Sequence, residues 1–566
     1  MLFARFVFRL LAGLLTAGAV VSASAAELPA AFTAALKEAG IPLDHVAVVA
    51  QPLEATEPLL SHNAEAALNP ASVMKLVTSF AALNQLGPGY AWATEVWADG
   101  VVAEDVLEGN LVIKGYGDPT LTLERMWLLQ RELRARGVRH IRGNLVLDLS
   151  HFELPAIDPG AFDDEPLALY NAPPGALVAN FNAVTLRLKP DARQVLIVPD
   201  IALPGVALSS RLVLEDSAEC NGWKDAVTSL MDGARAALVV SGRYARGCGE
   251  QALSLNLFEP AATFDFIFRG LWAESGGTLA GATVAGTAPN AAPLLKFSSE
   301  PLTDALTRLN KYSNNLMTRN LFLTLGAERH GAPATLEKGA RAVREVLSQR
   351  GVPTGKLVLE NGAGLSRIER ISAEALNQLL RAAYNSPLFA EFQSSLPIVA
   401  IDGTLKRRFS GSALSGNAHL KTGTLRDVSA LAGYVYTVNG QHVSFVMLVN
   451  HPNARHSEAA QRALLEWVHT TPHGLQPIVD RSPLGQSRNC LRSKALDCFP
   501  PRRVASRLKA LAMTGNWACS VFSQQPRRLA WIGAMLAALL LPSLALAQSA
   551  GLPAFTSTPA AGGGQT

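Results

Sequence analysis

Asn69-Pro70-Ala71-Ser72-Val73-Met74-Lys75-Leu76-Val77-Thr78-Ser79-Phe80-Ala81-Ala82-Leu83-Asn84-Gln85-Leu86-Gly87-Pro88 is the stretch on which the reading of this chain turns. Asn69 can cap a helix, Pro70 suits a first helical turn, and Gly87-Pro88 stops it. Val73, Leu76, Val77, Phe80 and Ala81 follow helical spacing and should face a core. Ser72 then lies in the first turn, where free backbone N–H groups and the helix dipole favour negative charge. Lys75, three residues on, shares its face. A serine hydroxyl is a poor nucleophile until a base takes its proton. A lysine can do so if burial and neighbouring cations depress its pKa.

Two further short motifs lie downstream, Ser313-Asn314-Asn315 and Lys421-Thr422-Gly423. Lys421 supplies a second cation to act on Lys75. Ser313 can relay a proton between Lys75 and a leaving amine, because a hydroxyl both donates and accepts. Asn315 can hydrogen-bond a substrate amide and a lysine together. Lys421, Thr422 and Thr424 offer a cation and two hydroxyls to a terminal carboxylate, and Gly423 lets a substrate backbone approach the strand. The backbone N–H groups of Ser72 and Thr424 would form the oxyanion hole. Other chemistries fit less well. There is no G-x-S-x-G elbow. Gly115-Tyr116-Gly117-Asp118 lacks a strand-to-helix context and reads as a turn. His419 and His451 read as strand-face residues. No cysteine or histidine spacing suggests a metal, and no cofactor is expected.

A chain of 566 residues, 49% hydrophobic and 17% charged, should form two to four globular domains. Residues 1–26 read as a secretory signal peptide: Arg5 and Arg9, an apolar run from Leu10 to Val21, then a small-residue cleavage site. The mature protein is therefore expected in the periplasm. Export permits disulfides, and Cys220 and Cys248, alone in mid-chain, are expected to pair, two buried thiols being the alternative. The net charge of +4 conceals an acidic core. Residues 481–566 hold ten Lys/Arg against Asp497 alone, and with Arg5 and Arg9 also set aside the remainder carries −7. That argues against a nucleic-acid partner. Residues 479–566 form a basic tail followed by an apolar run, 529–547. One reading is a membrane anchor. The other takes Met513 to Ala547 as the start of a neighbouring gene's product, joined by a reading-frame or gene-boundary artefact.

Short β-like runs fill much of the region from Tyr90 to Pro293: Ala91–Trp97, Asn110–Lys114, Gly143–Asp148, Ala183–Leu188 and Gln194–Pro199. Phe258–Gly276 is a helix candidate, and helical patterning returns at Pro301–Leu325. Ala430–Val438, Asn439-Gly440 and His442–Val449 spell a β-hairpin, and Ser457–His469 a closing helix. The expected fold class is α/β (α+β): an antiparallel sheet flanked by helices, interrupted by a mainly β insertion. The boundaries are 27–90 plus 294–478 for the catalytic domain, 91–189 plus 252–293 for an inserted domain, and 190–251 for a smaller domain nested within it.

S-x-x-K, S-x-N and K-T-G in this order are shared by penicillin-binding proteins and serine β-lactamases. Over roughly residues 27–475 the chain resembles the D-alanyl-D-alanine carboxypeptidase/endopeptidases, the class C low-molecular-mass penicillin-binding proteins. Beyond the motifs, the resemblance rests on residues 111–121 (LVIKGYGDPTL), 147–152 (LDLSHF), 361–367 (NGAGLSR), 396–405 (LPIVAIDGTL) and 418–424 (AHLKTGT). The separation of 241 positions from Ser72 to Ser313 is itself typical. Asn361 and Ala363 stand where Asp and Ser are expected, and Ala400 where Gly is. The resemblance implies a penicillin-binding-protein/β-lactamase-like transpeptidase domain. It implies Ser72, Lys75, Ser313, Asn315 and Lys421 as catalytic residues, with Thr422, Gly423 and Thr424 binding substrate. It implies a periplasmic enzyme acting on peptidoglycan stem peptides, with β-lactams as covalent inhibitors. Asp148 matches a family position that can reach the substrate's diaminopimelate amine; the alternative is a strand-end turn residue. A serine β-lactamase and a non-catalytic wall-binding protein remain as alternative functions.

Overall fold

The computed structural model describes residues 28–203, 205–232 and 236–471. The expected signal peptide and the expectations for residues 479–566, including the run 529–547, lie outside the described residues. Five strands form an antiparallel sheet: β1 (Val46–Pro52), β2 (Leu60–His62), β3 (Ala418–Thr424), β4 (Val428–Tyr436) and β5 (His442–Asn450), in the order β3-β4-β5-β1-β2. The β4–β5 hairpin pairs Tyr436 with His442, and Gly440 takes φ +77° in its turn.

Helices cover both faces of this sheet. On one face Ala47, Val49, Ala430, Ala432, Tyr434, Val446 and Leu448 pack against α2 (Met74–Leu86), α3 (Leu302–Tyr312), α4 (Asn315–His330) and further helices between 336 and 396. The alternate residues Val46, Val48, Leu431, Val435, Phe445 and Met447 pack against α1 (Ala30–Glu38) and α5 (Glu458–Thr470). Side chains alternate across a strand, so a doubly covered sheet needs apolar residues at every position. That explains why β1, Val-Ala-Val-Val-Ala-Gln-Pro, is buried throughout and shows no alternation that would mark it as a strand. Each Val, Leu or Phe so buried contributes about 1.5–3 kcal/mol.

A mixed seven-stranded sheet occupies much of residues 93–298, its long hairpin running Ala93–Ala103 to Val106–Gly115. Leu145–Asp148 and His140–Ile141 join that hairpin in parallel. Two helices, Leu123–Ala135 and Pro260–Glu274, pack into the same core through Met126, Leu129, Leu133, Phe264, Ile267 and Phe268. The second helix was expected; the first was not. Two three-stranded sheets complete this part, one of Val184–Pro190, Val195–Pro199 and Gln251–Leu255, the other of Ala207–Glu215, Val227–Asp232 and Ala237–Ala245. Cys220 and Cys248 form the expected disulfide, 28 residues apart in sequence. Closing such a loop removes denatured-state entropy worth about 3.5 kcal/mol.

Candidate active site

Ser72 sits in a single 3-10 turn, Ala71–Val73, which leads into α2. The turn is clamped from three sides. Asn69 Oδ1 accepts from Ala71 N at 2.9 Å, and Asn69 is itself paired with Asn450 through N–H···Oδ1 (2.8 Å) and Nδ2–H···O (2.9 Å) contacts. Ala71 takes φ +47°, a left-handed value that only a constrained turn imposes on alanine. Gly364 lies so close that a Cβ there would fall 1.8 Å from Ala71 O; one on Gly423 would fall 2.5 Å from Pro70 O and 3.1 Å from Ser72 N. Glycine at 423 therefore allows β3 to lie against the serine turn.

The helical stretch expected over 301–325 is broken at its functional point. α3 ends at Tyr312, Ser313 adopts φ +57°, and Asn314 caps α4 by accepting from Met317 N. The break turns Ser313 out of the helix while Asn315 begins the next one.

These elements bring the three motifs together. Lys75, 0% exposed, donates to Ser72 Oγ (2.9 Å), Asn315 Oδ1 (2.6 Å) and the Ala363 carbonyl. Lys421, also 0% exposed, donates to Ser313 Oγ (2.9 Å) and the Thr422 carbonyl (2.8 Å). Asn315 Nδ2 donates to Tyr170 O at 2.9 Å, so a loop from the 93–298 part touches the catalytic motif. Thr422 and Thr404 share a hydroxyl hydrogen bond of 2.9 Å, and Thr424 is exposed at the end of β3. Neither lysine has a carboxylate within ion-pair distance among the described residues. Burial, then the charges of Lys421 and Arg319, hold the Lys75 amine well below its ordinary pKa, with Glu369 opposing. Burial brings Lys421 down to about 7.

Asp148 is placed differently. It ends its strand opposite Lys114 and is 1% exposed. Oδ1 accepts from Ser150 N (2.9 Å) and Ser150 Oγ (2.6 Å); Oδ2 accepts from Ala288 N (2.8 Å) and lies 3.3 Å from Lys114 Nζ. A carboxylate has about four acceptor positions, so Asp148 as it stands has none left for a substrate ammonium. Burial pushes its pKa up, but the Ser150 and Ala288 donors and Lys114 outweigh that and hold it low. No hydrogen bond or ion pair joins it to the motif residues.

The sequence reading did not single out Tyr170, Arg319, Thr404 or Glu369. Ala400 takes φ +60°, which accounts for the glycine expected at its place. Residues 115–118 are not the turn expected: Gly115 ends the strand Val106–Gly115, the turn falls at 119–120 where Asp118 Oδ1 accepts from Thr120 N, and the helix Leu123–Ala135 follows, so a strand-to-helix context is present after all. His419 is half-buried beside Tyr436 in β4. A cavity of about 340 Å³ is lined by Arg319, Asn361, Leu365, Arg367 and Phe162, among others, with the Arg367 guanidinium 4.3 Å from the centre of the Phe162 ring. Among the described residues, no cluster of His, Cys, Asp and Glu could hold a metal, and no helix is long and apolar enough to cross a membrane.

Residues 28–471 match the D-Ala-D-Ala carboxypeptidase 3 (S13) family. The chain belongs to that family. It is thus a serine-peptidase hydrolase of the D-Ala-D-Ala carboxypeptidase type. A D-alanyl-D-alanine carboxypeptidase of Actinomadura sp. (strain R39) is 32% identical over 404 residues, covering 68% of this chain and 74% of that protein. The D-alanyl-D-alanine carboxypeptidase DacB of Haemophilus influenzae is 27% identical over 412 residues, 72% of this chain and 85% of its own. The crystal structure of penicillin-binding protein 4 (dacB) from Haemophilus influenzae shares the fold, with a TM-score of 0.65 at 24% identity over 78% of this chain and 99% of that one. A structure of the same protein complexed with a β-lactam gives a TM-score of 0.62.

Proposed function

We propose that this S13-family chain is a periplasmic D-Ala-D-Ala carboxypeptidase that also cleaves peptidoglycan cross-links, working through an acyl-enzyme on Ser72. The observation that carries the reading is the 2.9 Å contact between Ser72 Oγ and Lys75 Nζ, made by a fully buried amine without a carboxylate partner. Deprotonated, as burial favours, Lys75 keeps two N–H groups for Asn315 Oδ1 and the Ala363 carbonyl and turns its lone pair to the Ser72 hydroxyl, whose proton it takes as Oγ attacks the carbonyl of the penultimate D-Ala. The backbone N–H groups of Ser72 and Thr424 receive the developing oxyanion. The proton then passes from Lys75 through the Ser313 hydroxyl to the departing amine, and the C–N bond breaks. Lys421, Thr422 and Thr424 bind the terminal carboxylate. Water then attacks the ester: its hydroxyl goes to the acyl carbon, and its proton passes through Lys75 to Ser72 Oγ as the C–O bond breaks, which restores the Ser72 hydroxyl and the neutral amine.

In a cross-link the departing amine belongs to a second stem peptide, and the same steps apply. β-Lactams would acylate Ser72 in the same way and leave slowly. Rapid deacylation, as in a β-lactamase, needs a well-placed base to activate water, such as a glutamate on a loop. Glu369, the acid whose field reaches Lys75, already accepts four backbone N–H groups. Product analysis on purified muropeptides tests the proposal. It should show D-Ala released from pentapeptides and monomers from dimers, both suppressed by benzylpenicillin. Rapid penicillin turnover without D-Ala release would establish the β-lactamase reading instead. Binding to sacculi without either reaction would establish a non-catalytic wall protein.

A further inference from the structure

One of the acceptors that hold Lys75 is the Ala363 carbonyl, which lies in a loop, residues 360–364, outside all three motifs. That loop is organised around a buried carboxylate. Glu369 is 0% exposed; its Oε1 accepts from the backbone N–H groups of Glu360 (3.0 Å), Asn361 (2.9 Å) and Gly362 (2.8 Å), and its Oε2 from that of Gly364 (2.9 Å). Ser366 Oγ fixes the backbone leading to it, accepting from Ile368 N and Glu369 N, each at 3.0 Å. On the other side the loop is pinned to the catalytic elements: Thr78 of α2 donates to Gly362 O at 2.7 Å, and Gly364 packs on Ala71.

A buried carboxylate is costly unless its oxygens are well supplied with donors. Four N–H donors on two oxygens favour the ionised form. The carboxyl faces Lys75 on α2 and Arg319 on α4; burial outweighs the four N–H groups and leaves the Glu369 pKa raised, which those groups limit. Arg319 lies one turn beyond Asn315 and donates through Nη1 to Ala172 O at 3.0 Å. Glu360 also acts on Arg319, and Lys421 of β3 on Lys75.

We propose that Glu369 is a positioning residue for acylation. Its carboxylate gathers the N–H groups of Glu360, Asn361, Gly362 and Gly364, aims the Ala363 carbonyl at Lys75 Nζ, and sets a negative charge opposite Lys75 and Arg319. The proposal rests on the acyl-enzyme reading of Ser72. In Glu369→Gln the side-chain NH2 would meet at least one N–H of the loop, donor against donor, and the charge would be gone.

The test is the rate of acylation by benzylpenicillin, followed from pH 5 to 9 on the full chain. Glu369→Gln should lose about 10- to 100-fold in rate at neutral pH, the scale of a catalytic group displaced by roughly 1 Å. The acid limb of its profile, which reports the coupled lysines, should move to lower pH, because the lost anion favoured the ammonium form of Lys75. Arg319→Gln removes a cation and should move the limb to higher pH. Glu369→Asp should keep the limb in place and recover part of the rate. Opposite movements distinguish this role from a merely structural one, which would lower the rate evenly at all pH values. Even loss in both variants, or Glu369→Gln within twofold of wild type throughout, would overturn the proposal. Should Glu369→Gln fail to fold, an unmoved limb in Arg319→Gln overturns the charge role by itself. Failure of the wild type to acylate at Ser72 would instead refute the acyl-enzyme reading.

Discussion

The charged side chains of the 93–298 part and the two catalytic lysines are held in opposite ways. In the 93–298 part, charged side chains find opposite partners: Lys114 with Asp148, Arg187 and Lys189 with Glu250, Arg243 with Glu215, Arg246 with Asp216. Most of these pairs lie on the surface, where each contributes under about 1 kcal/mol. In the catalytic half, Lys75 and Lys421 are fully buried with hydroxyl, amide and carbonyl acceptors but no carboxylate in ion-pair reach among the described residues. A paired lysine keeps its proton. A buried lysine without a carboxylate partner gives it up, and so can serve as a base. The contrast separates charge that supports the fold from charge that performs chemistry.

Substitutions at three positions probe that contrast. The largest effect is expected from Lys75→Met, which removes the base. Acylation should fall at least about 10³-fold, while the unfolding free energy from urea titration stays within about 2 kcal/mol of wild type, since the lost hydrogen bonds offset the removal of a buried amine. A large loss of stability with acylation retained would show that Lys75 is structural. Gly423→Ala comes next. Its Cβ would fall 2.5 Å from Pro70 O and push β3 off the serine turn, so the acylation rate should drop about 10- to 100-fold. A rate equal to wild type would mean that β3 and the turn need not touch. The smallest effect is expected from Lys114→Met, in the charge-paired half. It should cost about 1 kcal/mol, because Asp148 keeps its three hydrogen bonds and Lys114 is partly exposed. D-Ala release should stay within about twofold of wild type. A selective rise in KM for diaminopimelate-containing peptides would place Asp148 in the substrate site.

The catalytic half was legible because its chemistry lies in short local signals. Gly87 ends α2 as expected and Asn439-Gly440 marks the β4–β5 turn, whereas Asn69 and Pro70 precede the 3-10 turn of Ser72 and the α-helix begins only at Met74. What escaped notice depended on tertiary context. β1 shows no alternation because both its faces are buried. The break at Ser313 lies inside a run whose composition stays helical on either side. The helix Leu123–Ala135 had a signal that was passed over, the Thr122 cap and the spacing Met126, Leu129, Leu133, within a region read as β from its turn residues. Asp148 matches a family position for binding an ammonium, and its partner Lys114 arrives only through parallel strand pairing. Glu369 has no periodicity to expose it: its donors come from a loop five to nine residues earlier, and only the folded loop shows the cluster.

The central claim is that the buried, unpaired Lys75 makes Ser72 the nucleophile. The most direct measurement is the intact mass of the wild type and of Ser72→Ala after incubation with benzylpenicillin, with peptide mapping of the adduct. The wild type should gain one penicilloyl group, mapped to Ser72, and Ser72→Ala none. An adduct on Ser72→Ala, or one mapped to any other residue of the wild type, would contradict it.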